Sequence, residues 1–176
     1  MSCLKAELII ETANKIIKQE ANSLLIQFFQ LLYRHFNNAT IKVKMTDGTE
    51  DNNTPSSFTF RMNAPDGNGS YGIVVGSGST AVDICNDYAL ENKLDLDHSA
   101  VIVEATTCKS GIIEIAIKRD ITNNSGSEVT INEVGLYCYG GGSTKIHCID
   151  RTVLVEPITL QNEQTMKVTY KLKYVA

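Results

Sequence analysis

The spacing of apolar residues along this chain changes after residue 38. Residues 4–36 contain no glycine or proline, and their apolar side chains recur every three or four residues, as on one face of a helix. The residues with this spacing are Ile9, Ala13, Ile16, Ile17, Ala21, Leu24, Phe28 and Leu31. The pattern predicts one long amphipathic α-helix within residues 1–38.

Two interpretations of this predicted helix stay open. It could cover one face of a sheet in its own chain, as amphipathic helices commonly do. It could instead be an oligomer contact, because residues 24–33 are apolar around nearly the whole circumference and Ile10, Ile17, Leu24 and Leu31 fall seven apart, as in a coiled coil. The second interpretation assigns an oligomer or partner interface to Ile10, Ile17, Leu24, Phe28, Phe29, Leu31 and Leu32.

Beyond residue 38 the sequence alternates between polar and apolar positions and is punctuated by turn residues. Residues 40–45 have the alternation of a half-buried strand. Similar patterns predict further strands at 58–62, 71–75, 100–105, 111–120, 129–137, 145–155 and 165–174. Polar turns at 122–127 and 140–143 predict two hairpins.

No helical pattern separates these strands, so parallel crossover connections are excluded. The predicted fold is mainly β: an antiparallel, jelly-roll-like β-sandwich over residues 39–176, preceded by the long N-terminal helix as an assembly element or anchor.

Composition narrows the possible partners. The net charge is -4 and the sequence pI is about 5.4, which leaves no broad basic surface for nucleic acid. Gln27 and Gln30 interrupt the most apolar stretch, which is shorter than the roughly 20 residues that cross a membrane. Five cysteines at irregular spacing, after a start without the basic and apolar regions of a signal peptide, predict reduced thiols in a cytosol.

Three segments carry residues that could in principle bind a ligand. Residues 75–80, VGSGST, resemble a phosphate-binding glycine loop, but no lysine precedes the serine or threonine and no helix pattern follows, which favours a plain turn. Asp83, Asp87, Asp95, Asp97 and His98 could surround calcium, although their spacing fits no EF-hand and favours solvated loop acids.

Cys138, His147 and Cys148 flank the predicted glycine hairpin and could bind zinc or form a disulfide. Only three such ligands are local, which favours unreactive strand cysteines. No nucleophile-elbow pattern occurs, and His35, His98 and His147 are the three histidines. We therefore predict no enzyme, no cofactor and no metal. Glu133 and Arg151 interrupt apolar strands, and we predict a structural ion pair between them.

The C-terminal part of the chain resembles a known group of proteins through the order of its short motifs. These motifs are GIVVGSGST (72–80), NDYALE (86–91), ITNNSG (121–126), NEVGLY (132–137), RTVL (151–154) and VTY (168–170). In this order they resemble small β-sandwich virion proteins of tailed bacteriophages, over residues 71–176. The N-terminal segment lies outside the resemblance, and the glycine hairpin with Cys138 and Cys148 is not one of its motifs.

The resemblance implies a structural component of the head, neck or tail that forms homo-oligomers and docks to other virion proteins. It implies residence in the virion after assembly in the host cytoplasm. Two alternatives remain open. One is a carbohydrate- or ligand-binding sandwich, although the chain has no tryptophan and only 7% aromatic residues. The other is an enzyme whose site, with residues such as Asp87 and His147, forms between subunits.

Overall fold

The computed structural model describes residues 3–21, 24–52, 60–140 and 145–175. These residues form twelve β-strands and one α-helix. In chain order they are β1 (Cys3–Glu11), β2 (Ile16–Ala21), α1 (Ile26–Asn37), β3 (Val43–Lys44), β4 (Glu50–Asp51), β5 (Gly72–Gly76), β6 (Asp97–His98), β7 (Ile102–Val103), β8 (Thr107–Lys109), β9 (Ile112–Thr122), β10 (Val129–Tyr139), β11 (Ile146–Leu160) and β12 (Thr165–Val175).

The larger sheet has seven strands in the order β2-β1-β12-β9-β6, and β7 and β8 also pair with β9. All of these pairings are antiparallel. Along β1 the side chains of Ala6, Leu8 and Ile10 are buried, while Lys5 and Glu11 on either side of them are exposed. One face of this sheet therefore packs against the core and the other meets solvent.

The smaller sheet consists of β11, β10 and β5, again antiparallel. The Tyr170 hydroxyl of the larger sheet donates to Asp150 Oδ1 at 2.9 Å and contacts the Val134 carbonyl at 3.3 Å, so the two inner faces meet directly. The other face of the smaller sheet is covered as well, because β5 is buried along its whole length.

The covering layer is made by helix α1 and by the segment 77–96. The helix packs against β11, and Arg34 near its C-terminal end binds Asp51 of β4 at 3.0 Å. The segment continues along β5, where the Leu94 amide donates to the Val75 carbonyl at 2.9 Å. The smaller sheet is thereby enclosed between two layers.

The prediction of a mainly β chain with packed antiparallel sheets is confirmed, but the prediction of a long N-terminal helix is wrong. Residues 3–21 form the β1–β2 hairpin, and helix α1 covers only twelve residues. Ile10 and Ile17, seven apart in sequence, are directly opposite each other across this hairpin. The apolar residues also alternate along each strand, so the segment satisfies both periods, and pairing of β1 with β12 selects the strand.

The predicted hairpin at 122–127 is also wrong, because β9 lies in the larger sheet and β10 in the smaller one. The turn crosses between the sheets. Buried Asn123 holds it there, donating to the carbonyls of Ser127 at 2.7 Å and Leu160 at 2.9 Å. At the other predicted hairpin β10 and β11 do pair, with the Gly140 amide donating to the Lys145 carbonyl at 2.7 Å, while residues 141–144 lie outside the described residues.

The predicted strand at 58–62 lies partly outside the described residues too. Within the described part, Arg61 forms an isolated antiparallel bridge with Tyr139.

Candidate functional site

A cluster of charged side chains lies between the smaller sheet and the segment that covers it. We call it the Arg151 clasp, and it consists of Arg151, Glu133, Asp87, Glu91 and Thr80. Arg151 Nε binds Glu133 Oε2 at 2.8 Å, one terminal nitrogen binds Asp87 Oδ2 at 2.7 Å, and the other reaches the Thr80 carbonyl at 3.2 Å. The Arg151 and Glu133 side chains are 2% and 0% exposed. The structure thus brings together the two residues predicted to pair.

The glycine-rich loop after β5 supplies backbone donors to this clasp. The amide of Gly78 donates to Glu133 Oε1 at 3.1 Å, and the amides of Ser79 and Thr80 donate to Glu91 Oε2 at 2.9 and 3.0 Å. The bond from the Thr80 amide is the main reason that the pKa of Glu91 is lowered. The loop therefore does hold anions, but they are carboxylates of the same chain.

Close approach explains the glycine in this loop. A Cβ atom on Gly78 would lie 2.6 Å from Glu133 Oε1, well inside van der Waals contact. Any larger residue at position 78 would push the loop away from the Glu133 carboxylate, and the hydrogen bond from the backbone amide to Glu133 would be lost.

Two further backbone amides complete the coordination of Glu133. They come from Glu91 at 3.2 Å and Asn92 at 2.9 Å. Nearby, the Tyr137 hydroxyl accepts a hydrogen bond from the Leu90 amide at 2.7 Å. Sequence analysis did not predict that Asp87, Glu91 and the glycine loop converge on the Glu133–Arg151 pair, because they are distant from it in sequence.

The clasp is suited to holding backbone in place, because its charged groups bind one another and nearby backbone amides. Burial by itself would lower the pKa of Arg151, but its hydrogen bonds to Glu133 and Asp87 outweigh burial, and the pKa is raised. Each carboxylate accepts hydrogen bonds from the chain itself. The guanidinium stays charged and the carboxylates accept hydrogen bonds from the chain, so the arrangement fixes the covering segment 77–96 to strands β10 and β11.

Several of the residues considered for metal binding contact other parts of the fold, while Asp95 and Asp97 are exposed. Among the described residues, no group of three or more His, Cys, Asp or Glu side chains could hold a metal ion. His98 Nδ1 lies 2.6 Å from the Leu96 carbonyl, and burial lowers the pKa of His98 to about 4. Cys138 and Cys148 are buried free thiols whose pKa values burial raises, which makes them poor nucleophiles.

The residues predicted to form an interface are divided between the core and the surface. Ile10 and Ile17 are buried between the sheets, Phe28 and Leu31 are buried on the inner face of helix α1, and Leu24 and Leu32 are half-buried. Phe29 is 55% exposed. For the four buried residues, packing within their own chain accounts for their apolar character.

Helix α1 nevertheless presents a second apolar surface to solvent. We call it the α1 outward face, and it consists of Ile26, Phe29, Tyr33 and Phe36. Their exposed fractions are 38%, 55%, 53% and 81%. No Lys, Asp or Glu occurs anywhere in the helix, and its one arginine is buried. Exposed apolar surface of this kind, without charge, is typical of a contact site.

A cleft of about 390 Å³ opens between the two sheets beside the tip of the β1–β2 hairpin. Ile10, Ile17, Ile158 and Leu160 form its apolar floor, and threonine, asparagine, glutamine and lysine side chains form much of its rim. The described residues that line it include no aromatic side chain.

Comparison with protein-family models, with curated proteins and with solved structures finds no match to this chain. Within the described residues, no helix has the length and apolar character needed to cross a membrane.

Proposed function

We propose that this chain is a structural subunit of a tailed-phage particle, in the head, neck or tail, that acts by oligomerisation and by docking to other virion proteins. The observation that supports this most directly is the composition of the Arg151 clasp. Four of the six motifs that resemble the virion proteins contribute to the clasp or its immediate contacts, in segments 72–80, 86–91, 132–137 and 151–154.

The chemistry of the clasp is consistent with a structural role for those motifs. Glu133 is fully buried and bonded to three backbone amides and to Arg151, so it fixes the covering segment to the smaller sheet. A buried network with its partners in place stabilises one arrangement of the backbone. The motifs thereby specify a framework, and a framework that is repeated by assembly is what a particle needs.

The surface features favour assembly over turnover. The α1 outward face is apolar and uncharged, while the solvent face of the larger sheet carries lysine and glutamate pairs such as Lys171 with Glu114, 3.3 Å apart. A surface divided in this way favours contact with another protein at one side. The net charge of -4 argues against packing around nucleic acid.

The alternative of a carbohydrate-binding module gains little from the cleft between the sheets. Sugar sites commonly stack the ring on an aromatic side chain, and the cleft has an aliphatic floor. We therefore favour the structural role.

Quantitative mass spectrometry of purified particles would test the proposal. The sample is the particle fraction of a phage that encodes the chain, carried through successive density gradients, with the major capsid protein as internal reference. We expect a constant ratio of this chain to the capsid protein at every step, while a phage replication enzyme serves as the control that is lost. A ratio that falls with the control would overturn the proposal.

A further inference from the structure

The α1 outward face has a symmetric sequence pattern. Its four residues, Ile26, Phe29, Tyr33 and Phe36, are separated by three, four and three positions, so the pattern reads the same in both directions about Leu31. When two such helices lie antiparallel across a two-fold axis, Ile26 of each copy meets Phe36 of the other and Phe29 meets Tyr33. In a two-fold contact, residue i of one copy meets residue j of the other and j meets i, and here each such meeting joins two apolar side chains.

We propose that two copies of this chain form a dimer in which the α1 outward faces pack antiparallel about a two-fold axis. The dimer identifies a second copy of the chain as the partner in the proposed function. The inference rests on that function only in taking self-association to be the role of the chain. The closed dimer would then be the building block from which the particle is assembled.

Electrostatics favours a second copy of the chain as the binding partner of the α1 outward face. In a two-fold contact, residues near the axis meet the same surface of the partner, so a charged face would repel itself. The α1 outward face has no charged residue in its four positions. The antiparallel arrangement also places the positive N-terminal end of one helix dipole beside the negative C-terminal end of the other.

The face is also held in place before any contact forms. The Phe29 ring packs edge-on against the buried Phe28 ring, with the centroids 5.2 Å apart and the planes at 82°. At the N-terminal end of the helix, the Ile26 amide donates to the Ile84 carbonyl at 2.9 Å. An aromatic residue anchored in this way loses little conformational freedom on binding and is well suited to the centre of an interface.

The area is of the right order for such a contact. Aromatic side chains bury roughly 150–250 Å² each, so the three partly exposed rings offer on the order of 400 Å². A standard interface buries about 800 Å² on each partner. Ile84, 51% exposed, and Leu4, 50% exposed, adjoin Leu24 at the start of the helix and extend the apolar surface toward that value.

The experiment measures the mass of the full chain in solution by light scattering, under reducing conditions and across a micromolar concentration series. We expect a dimer. The double variant Phe29→Glu with Phe36→Glu should raise the dimer dissociation constant by about 100-fold or more, because it places one charge beside the two-fold axis and another at the end of the contact, both against apolar side chains of the second copy. The matched control is Val155→Glu, since Val155 is 76% exposed on β11 and lies outside the face; this variant should stay dimeric.

A pair of charge variants tests the antiparallel arrangement. Phe29→Lys and Tyr33→Glu should each be monomeric alone, and a mixture of the two should form a heterodimer, because the introduced lysine of one chain then faces the introduced glutamate of the other. Circular dichroism confirms that each variant is folded, as expected for exposed positions; if the double variant is unfolded, the single Tyr33→Glu variant provides the mass test.

A wild-type monomer throughout the series would overturn the proposal, as would a double variant that remains dimeric. Monomeric single variants that do not recover a dimer when mixed would overturn the antiparallel arrangement. None of these outcomes alters the ratio of the chain to the capsid protein in particles, so failure of this dimer is distinguishable from failure of the proposed function.

Discussion

At the scale of single residues, Asp150 shows how the environment controls a carboxyl group. It lies between the two sheets with no solvent exposure. Thr152 donates to its Oδ1 at 2.9 Å and the Tyr170 hydroxyl donates at 2.9 Å, while its Oδ2 has no hydrogen-bond partner among the described residues. Burial disfavours the charged form more than the two hydrogen bonds favour it, so the pKa rises from 3.8 to about 6.

This raised pKa predicts a pH dependence of stability. The folded state binds the Asp150 proton more tightly than the unfolded state does. The contribution of this proton to the free energy of unfolding is therefore fully present below pH 3.8 and is lost as the pH rises through about 6. The rise in the pKa of Asp150 from 3.8 to about 6 corresponds to about 3 kcal/mol. The Asp150→Asn variant should lack this loss, so its free energy of unfolding should gain on the wild type by about that amount across the same window.

Urea denaturation of both proteins at several pH values measures the difference. Comparing the two removes the contributions of Asp47, Asp83 and Glu91, whose lowered pKa values act in the opposite direction. A difference between variant and wild type that does not change with pH would show that Asp150 titrates normally.

At the scale of structural elements, the Arg151 clasp joins a long covering segment to two strands. The segment 77–96 has little regular secondary structure, and backbone donors there need partners from elsewhere. Glu133 provides them for three amides, and Arg151 then balances its buried charge. The two residues are therefore unequal: the carboxylate organises the segment and the guanidinium compensates the carboxylate.

This inequality predicts an order of destabilisation. Arg151→Met leaves the Glu133 carboxylate with its amide donors, and loss of one partner of a buried pair costs about 3–5 kcal/mol. Glu133→Ala should cost more, because it leaves three amides and Arg151 Nε without their acceptor. Lys42→Met is the control, since Lys42 and Glu50 form an exposed pair and solvent-exposed pairs contribute little to stability.

Chemical denaturation of the three variants gives the free energies. Hydrogen exchange supplies a second readout, because amides of Gly78 and Asn92 should lose protection in Glu133→Ala before the sheets do. Equal losses for the Glu133 and Arg151 variants would contradict the assigned roles.

At the scale of the whole molecule, the N-terminal segment is integrated into both the sheet and the core. Strand β1 pairs with β12 along nine residues and separates it from β2. Leu8, Leu25 and Leu31 have no exposed surface. The Gln19 side chain also bridges the sheets, since it donates to the Val153 carbonyl and accepts from the Val155 amide, both at 3.1 Å.

A chain that begins at Ala39 should therefore fail to fold. It would expose the edge of β12 and open the core between the sheets, which favours aggregation through unpaired strand edges. Circular dichroism and light scattering check this against the full chain. A folded, monomeric product would instead support the division at residue 38 that the sequence predicts.

Much of the C-terminal half could be predicted from sequence. Apolar patterning placed β9, β10, β11 and β12 within about five residues of their observed bounds. In the larger sheet a half-buried strand imposes period two on its own sequence, whereas much of β10 and β11 is buried on both faces and shows as apolar runs. Glu133 and Arg151 were detectable because charged residues within apolar strands need partners. Charge and cysteine content are likewise properties of the chain that folding does not alter.

What the tertiary structure alone decided depends on partners distant in sequence. Residues 3–21 fit a helix and a strand equally well by spacing, and the nine-residue pairing with β12 settles the choice. The connection at 122–127 looks like a hairpin locally, and the contacts of Asn123 with Ser127 and Leu160 direct it to the other sheet. Only packing distinguishes buried Phe28 from exposed Phe29, since one side chain meets the core and its neighbour meets solvent. Sequence encodes local periods, whereas sheet membership and exposure follow from the free energy of long-range contacts.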